Sequence, residues 1–400
     1  MNRIKSIAII EVDYHQEVLK SLIEILEPLN CKIYVFSLEK IWKRAAIKTK
    51  LKKTEVYLAK NRREIKKLIT NNLEIINNTE LIIFNTLASK FRLFASIQYK
   101  PPVLLRVHNV NTYLNFSWKN LDFKLSPFYI WKDTSYIFRR VIGGFELFYR
   151  KKFIQNRVDY FSFPEKSVAQ YAIKNGFVQE ERVIDFIPFV YANTETIKVV
   201  EKDFVSITIV GLVDKRKKDY NEVYEAFKNL VPRLKSRVVL NFLGRPVGIK
   251  GKAILGKFKK LENSNFRVNT YNAFVPLDEF KRVTENTDFL LIPVTQFYHF
   301  SIFREIAGKT KVSGNINDAI VSGKPALIPS FYELEKGIKP MFVTYSGTEE
   351  LMRRLSDWIS TRSFLEIDTK KILEKRSFKE VSGQVGASLQ RIIKEKSNRK

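Results

Sequence analysis

The chain is 400 residues long, and 70 Lys and Arg against 42 Asp and Glu leave a formal charge of +28. That length exceeds what one ordinary core fills, so two domains are expected. The charge favours polyanionic partners: nucleic acid, an anionic membrane surface or phosphorylated substrates. A single cysteine, Cys31, excludes an intramolecular disulfide, and no apolar run approaches the roughly 18 residues that span a bilayer.

The amino terminus, MNRIKSIAIIEVDYHQEV, runs straight into a strand-like segment without a signal-peptide pattern, so the protein is read as cytoplasmic, soluble or peripheral. Strand-length apolar runs follow: IKSIAIIEV, CKIYVFS, ELIIFNT, PVLLRVHN and VDYFSFP in the first half, then VSITIVGLV, RVVLNFLG, DFLLIPV, KPALIPS and MFVTYSG. They are nearly continuous rather than alternating, as parallel strands covered on both faces require. Amphipathic stretches such as Glu17–Leu29 and Tyr220–Leu234 separate them. This βαβ alternation occurs twice and predicts an α/β protein of two Rossmann-like domains with a cleft between them. A polar connector, Pro188–Phe204, marks the break.

Two segments depart from the pattern. Residues 41–70 carry eleven Lys and Arg against two Glu, with Ile47, Leu51, Leu58, Ile65, Leu68 and Ile69 at roughly helical spacing. They read as a basic amphipathic helix on anionic lipid, or as a solvated charged face over a core-facing stripe. Phe116–Phe153 interleaves aromatics with Lys and Arg. That composition suits the headgroup level of a membrane, single-stranded nucleic acid, or a domain core with basic edges.

Common catalytic motifs are missing. One Cys with His15, His108 and His299 makes no spaced zinc set, and G-x-S-x-G, Walker and G-x-G-x-x-G patterns do not occur. What remains are the strand ends, where open parallel sheets bind ligands. Gly211 leaves the VSITIV strand and Lys215, Arg216, Lys217 and Lys218 follow, four cations that could neutralise a diphosphate or form a solvated basic loop. In KVSGNINDAIVSGKPALIPS, Ser313 and Gly314 start a predicted helix that Ser322-Gly323 ends. The amino end of such a helix suits a phosphate. His108 and Asn109 follow LLRV, a placement commoner for a site than for scaffolding. His15 follows the first strand similarly, with capping or solvation as the competing role.

These segments, in this order, resemble the retaining glycosyltransferases of the GT-B fold, the group-1 or family-4 kind, over roughly residues 75–360. RVHN resembles that family's strand-end His of the acceptor domain. VDYFSFPEKSVAQYAIKNGFVQEERVIDFIPFVY is similar to the stretch ending in its interdomain IPNGVD. ITIVGLVDKRKKDYNEVYEAF resembles its diphosphate segment, and FRVNTYNAFVPLDEFKRVTENTDFLLIPV looks like its v.f.G.v…el…y..advfv.PS stretch. The Lys311–Ser330 stretch falls where the family has its E-x7-E motif. The resemblance implies that Lys218 meets the donor diphosphate and that Asp318, at the second Glu, binds the nucleotide ribose. Val312, Ser313 and Gly314 would face the phosphates, and His108 would lie near the reacting sugar. Gly211, Arg216, Lys217 and Lys311 complete the expected donor set, and His15 and Asn109 the acceptor side. There are departures: Leu212 replaces the usual Arg, Thr310 replaces the first Glu, and EVDYHQEV replaces the amino-terminal Gly-Gly loop. Arg216 or Lys217 could stand in for the arginine, and Lys309 or Lys311 could reach the phosphates.

The expectation is therefore a GT-B protein with an acceptor domain at 1–195, a donor domain at 196–360 and a helical tail at 361–400 packing back. It would move a sugar, with retention, from a nucleotide-diphosphate sugar to a glycan or lipid-linked acceptor, as in bacterial surface polysaccharide synthesis. No D-x-D pair is evident, and no metal or cofactor is expected. The protein would sit in the cytoplasm or peripherally on the inner face of the plasma membrane. A nucleotide-sugar epimerase on the same fold is one alternative. A nucleic-acid-binding protein is another, although no recognised nucleic-acid module occurs and the cations are not confined to one segment.

Overall fold

The computed structural model describes residues 4–47, 53–115, 131, 134–142, 145–184, 202–300 and 302–398. Strands β1 (Ser6–Glu11), β2 (Lys32–Leu38), β3 (Thr54–Ala59), β4 (Leu81–Thr86), β5 (Val103–Arg106) and β6 (Tyr160–Ser162) form one sheet in the order β3-β2-β1-β4-β5-β6. Strands β7 (Phe204–Val210), β8 (Arg237–Leu243), β9 (Phe266–Thr270), β10 (Phe289–Leu291), β13 (Ala326–Pro329) and β14 (Phe342–Tyr345) form a second, ordered β14-β13-β10-β7-β8-β9. Every pairing within both sheets is parallel. A separate antiparallel hairpin, β11 (Phe297–Phe300) and β12 (Phe303–Ile306), follows β10. Helices cover both faces, so β4 is buried at every position, as its apolar run requires.

Strand order reverses between β1 and β4 in the first sheet and between β7 and β10 in the second. In such sheets the crevice outside the carboxyl ends at the reversal is where ligands bind. Here both reversals open on the cleft between the domains. The β1–β4 register also shifts at Ile10/Glu11, a local irregularity that re-aims the side chain beside the crevice.

Residues 41–70 do not form the basic amphipathic helix that was one of the two readings of their spacing. They comprise the end of the helix Glu39–Ala45, the edge strand β3 and most of the helix Ile65–Asn71; residues 48–52 lie outside the described set. Ile65 and Ile69 are buried in the first core, while Leu58 points partly to solvent from β3. The span is divided between two separate short helices and an edge strand, so the spacing of its apolar positions does not define one helical face. Residues 188–201 of the connector and much of Phe116–Phe153 also fall outside the described residues.

At the carboxyl end, the helix Gly347–Thr361 packs Leu351, Leu355, Trp358 and Ile359 into the second domain's core. The helix Phe378–Asn398 crosses back, placing Val381, Val385, Leu389 and Ile392 in the first domain's core. Ser382 Oγ donates to the Ile25 carbonyl at 2.8 Å, Tyr160 Oη to Glu395 at 2.7 Å, and Lys396 pairs with Asp159 at 2.7 Å. These contacts fasten the returning helix to the first domain.

Candidate functional site

On the second domain, β7 ends at Val210 and Gly211 turns the chain at φ 88°, a left-handed conformation that glycine adopts without strain. A Cβ there would lie 3.4 Å from Lys218 Nζ and 3.8 Å from Asn315 Nδ2. Lys218 is 6% exposed; its Nζ donates to the Leu212 carbonyl at 3.4 Å and its backbone pairs with Val294, just past β10. It therefore sits at the reversal crevice. Burial pushes its ammonium down to about 8, against the pull of Asp318 and with repulsion from Lys217. Lys311, half-buried with its ammonium 5.1 Å from the Tyr298 ring centroid, is likewise pushed down to about 8, by burial and then by Lys217. Cations held together and desolvated in this way gain most from an arriving anion.

Ser313 caps the helix Gly314–Ser322, its Oγ accepting from the Asn315 amide at 3.3 Å. Gly314 is exposed, and a Cβ there would meet nothing within 4 Å, so the helix start opens on free space. Asn315 Nδ2 donates to the Val210 carbonyl at 3.0 Å and to Asp318 Oδ2 at 2.9 Å, which ties the helix to the end of β7 and orients the carboxylate. Burial raises Asp318 to about 6, against Asn315 and Lys218; Glu17 of the first domain adds to the rise from across the cleft.

On the first domain, the ends of β1, β4 and β5 build a buried network. Asn85 Nδ2 donates to Glu11 Oε2 at 2.7 Å, and Arg106 Nη1 donates to Asn85 Oδ1 at 2.6 Å. Burial pushes the Glu11 carboxyl well above its ordinary value and the Arg106 guanidinium down to about 9. Above this network His108 Nε2 lies 2.9 Å from the Asn85 carbonyl. A carbonyl only accepts, so Nε2 carries the proton and Nδ1 is the acceptor nitrogen. His15 stacks on His108 with centroids 4.8 Å apart and planes at 23°. It holds a left-handed backbone (φ 79°) ahead of the helix Gln16–Leu26, an uncommon state for a residue with a side chain. Burial, then the charges of Lys311 and Arg106, push His15 down to about 4. Burial, His15 and Arg106 push His108 well below its ordinary value. Both rings are therefore neutral near pH 7.

The structure brings His15, His108, Gly211, Lys217, Lys218, Lys311, Ser313, Gly314 and Asp318 to the cleft. Three expected donor or acceptor residues are placed otherwise, and Ser313 reaches the cleft with its amide already used. Arg216 does not stand in for the missing arginine: its Nε grips Asp214 at 2.8 and 3.0 Å, which matches its charge locally. The Ser313 N–H donates to the Tyr332 hydroxyl at 2.9 Å, so this amide is occupied. Val312 packs its side chain against the cores of both domains. Asn109, 5% exposed, is not an open acceptor-side group, because its backbone pairs with Lys311 across the interdomain contact. Thr310, at the family's first Glu, is fully buried, with Oγ1 accepting from the Ile306 amide at 2.7 Å. Glu11, Asn85, Arg106, Gly244, Asn315 and Glu305 escaped the sequence reading. Glu11 and Asn85, for example, are 74 positions apart and meet only through sheet topology. Among the described residues no group of three or more His, Cys, Asp or Glu is arranged to hold a metal, and no helix is long and apolar enough to cross a membrane.

No protein-family model matches the sequence, and no curated protein matches it. Solved structures do match the fold. HepE of Anabaena, in complex with UDP and glucose, aligns with a TM-score of 0.59 over 96% of this chain and 99% of its own, at 13% identity. An alpha,alpha-trehalose-phosphate synthase (UDP-forming) from Burkholderia vietnamiensis aligns with a TM-score of 0.60 over 98% of this chain and 99% of its own, at 10% identity. The pneumococcal O-GlcNAc transferase GtfA, in complex with UDP and GlcNAc, aligns with a TM-score of 0.57 over 98% and 100%, also at 10% identity. At such identities the likeness is one of fold, and the chain has the two-domain GT-B fold.

Proposed function

We propose that the chain is a glycosyltransferase that moves a sugar from a nucleotide-diphosphate donor to a glycan or lipid-linked acceptor, with retention. The observation that carries this reading is the meeting of Lys217, Lys218 and Lys311 at the β7/β10 reversal, beside an open helix start and Asp318. In the reaction the bond from the anomeric carbon to the diphosphate breaks, the diphosphate leaves with the electron pair, and the acceptor hydroxyl bonds to that carbon and passes its proton to the departing diphosphate oxygen. The lysines and the helix end stabilise the departing charge, so the protein's contribution is positional and electrostatic. His108 and His15, held neutral, are poor acids and poor bases. Their role here is to position hydroxyl groups, with His108 Nδ1 as an acceptor. Asp318 accepts from the ribose. The neighbours that contain UDP support a nucleotide-sugar donor for the same fold.

Calorimetric titration with UDP, GDP and ADP from pH 7 to 9 tests this reading. The anion binds the protonated lysines, and in the free protein Lys218 and Lys311 both lose their protons near 8. Binding therefore takes up protons, and affinity falls as pH rises through that value. Asp318→Asn should weaken nucleoside diphosphates but not inorganic pyrophosphate. No binding of any nucleoside diphosphate, or an affinity indifferent to pH across this range, would sink the proposal.

On the acceptor side, exposed apolar residues support a peripheral membrane position and a lipid-linked acceptor, as surface glycan synthesis would use. Trp131, Phe138, Ile142, Phe145 and Phe148 are each more than half exposed, and Lys151 and Lys152 are exposed on the helix Glu146–Asn156 that Phe148 shares. On that helix the Arg150 guanidinium stands 5.3 Å from the Phe303 ring centroid, so the helix abuts the hairpin that follows β10. Each Lys or Arg near an anionic leaflet contributes on the order of 1 kcal/mol, an attraction that fades with salt. Co-sedimentation with anionic but not neutral liposomes, weakening with salt, is expected. Sedimentation with neither, or binding to a single-stranded DNA control instead, contradicts the membrane assignment.

A further inference from the structure

The return strand of the β11–β12 hairpin and the loop after it run along the first domain beside the cleft. Glu305, fully buried on β12, accepts at Oε1 from the Thr112 amide at 2.7 Å and the Thr112 hydroxyl at 2.5 Å, and at Oε2 from the Asn111 amide at 3.3 Å. Asn111 Nδ2 donates to the Arg304 carbonyl at 2.9 Å, the Val110 amide donates to the Thr310 carbonyl at 2.9 Å, and Asn109 pairs antiparallel with Lys311. Residues 109–112 of the first domain are thus laced to 304–311 of the second. His108 immediately precedes one side of this lacing, and Ser313 follows the other by two positions.

We propose that Glu305 is a positioning residue that clasps the two domains, holding the histidine pair and the anion-binding lysines in the register that transfer needs. A buried carboxylate is tolerated only when its oxygens are hydrogen-bonded. Here three of its donors come from the opposite domain. They are the Asn111 and Thr112 amides and the Thr112 hydroxyl. When the domains part, those donors and the carboxylate lose one another together, so the contact is either made or broken as a unit. Burial raises the Glu305 carboxyl, while Thr112 and Thr310 oppose the rise by donating to it. Its charge also supports Lys311, which links the clasp to the anion site. The positioning role rests on the transferase reading; the clasp itself does not.

Glu305→Gln places an amide group against N–H donors, and Thr112→Val removes the hydroxyl bond with little change of shape, so the second variant serves if the first fails to fold. In the full-length variants, hydrogen exchange at the Asn111 and Thr112 amides should quicken, and the radius of gyration from small-angle scattering should rise. Titrated UDP should bind within about threefold of the parent affinity, while kcat for UDP-glucose hydrolysis falls roughly tenfold or more at nearly unchanged donor KM. A merely structural role would leave kcat per folded molecule intact. Unchanged exchange and radius in a folded variant would overturn the clasp. Equal losses of UDP affinity and kcat would overturn the positioning role. Failure of the parent protein to bind UDP or UDP-glucose counts against that donor, and exchange and scattering then decide the clasp alone.

Discussion

Replacing Lys218 with alanine should weaken nucleoside diphosphate binding by roughly 1.5–3 kcal/mol, a loss of about tenfold to more than a hundredfold. The magnitude follows from where the ammonium sits. Lys218 is almost wholly buried, and the Gly211 turn leaves it close to the start of the helix Gly314–Ser322. In water a lone ion pair contributes little, but in a desolvated crevice the same charge acts through a lower effective dielectric. Lys217 and Lys311 remain in the variant, so binding should persist in weakened form. Titration of a folded Lys218→Ala protein checks this, and affinity equal to the parent's would remove Lys218 from the site. Arg216→Ala is the informative companion. Because Arg216 already grips Asp214, its loss should disturb the loop more than it disturbs the anion.

A second large effect is expected at a residue that carries no side chain. A Cβ at Gly244, one residue past β8, would lie 2.4 Å from the Gly211 carbonyl oxygen, 2.5 Å from the Gly211 carbonyl carbon and 3.0 Å from the Leu212 nitrogen. All three are backbone atoms, so no rotamer change relieves the clash. The Gly211 amide also donates to the Leu243 carbonyl at 2.9 Å, which holds the two strand ends together. Gly244→Ala should therefore destabilise the second domain by about 1–3 kcal/mol, the usual range for overpacking, and displace the turn that carries Lys218. Nucleotide affinity should fall with it. Gly256→Ala, inside the helix Gly248–Lys259 with nothing within 4 Å of the new methyl, is the control and should stabilise by roughly 0.5–1 kcal/mol. Denaturant unfolding of the three proteins settles the comparison. A Gly244→Ala protein as stable as the parent would mean that the Gly211 turn yields freely and is not a fixed part of the site.

Much of this architecture was legible in residue order, because the signals are local. All ten apolar runs form strands, since a central parallel strand is buried on both faces and must be apolar throughout. Ser313 caps its helix and Gly323, at φ 64°, ends it, because capping oxygens and left-handed glycines act within a few residues. The placement of Gly211, Lys218 and His108 at strand ends followed from the same reasoning. The edge strands β3 and β9 did not, because both stay partly in solvent and neither is a continuous apolar run. Tertiary structure alone decided which cations are available. Arg216 and Lys218 are two residues apart in one basic run, yet one is matched by Asp214 and the other is buried facing the helix start. It alone decided that both cleft histidines are neutral, since their desolvation, the stacking of His15 on His108 and the charge of Lys311 come from segments far apart in the chain. Glu11 with Asn85 and Arg106, and Glu305 with Thr112, are joined across 21 to 193 positions. A buried polar side chain needs a partner, but the choice of that partner is made by the packing of distant segments, which no local pattern records.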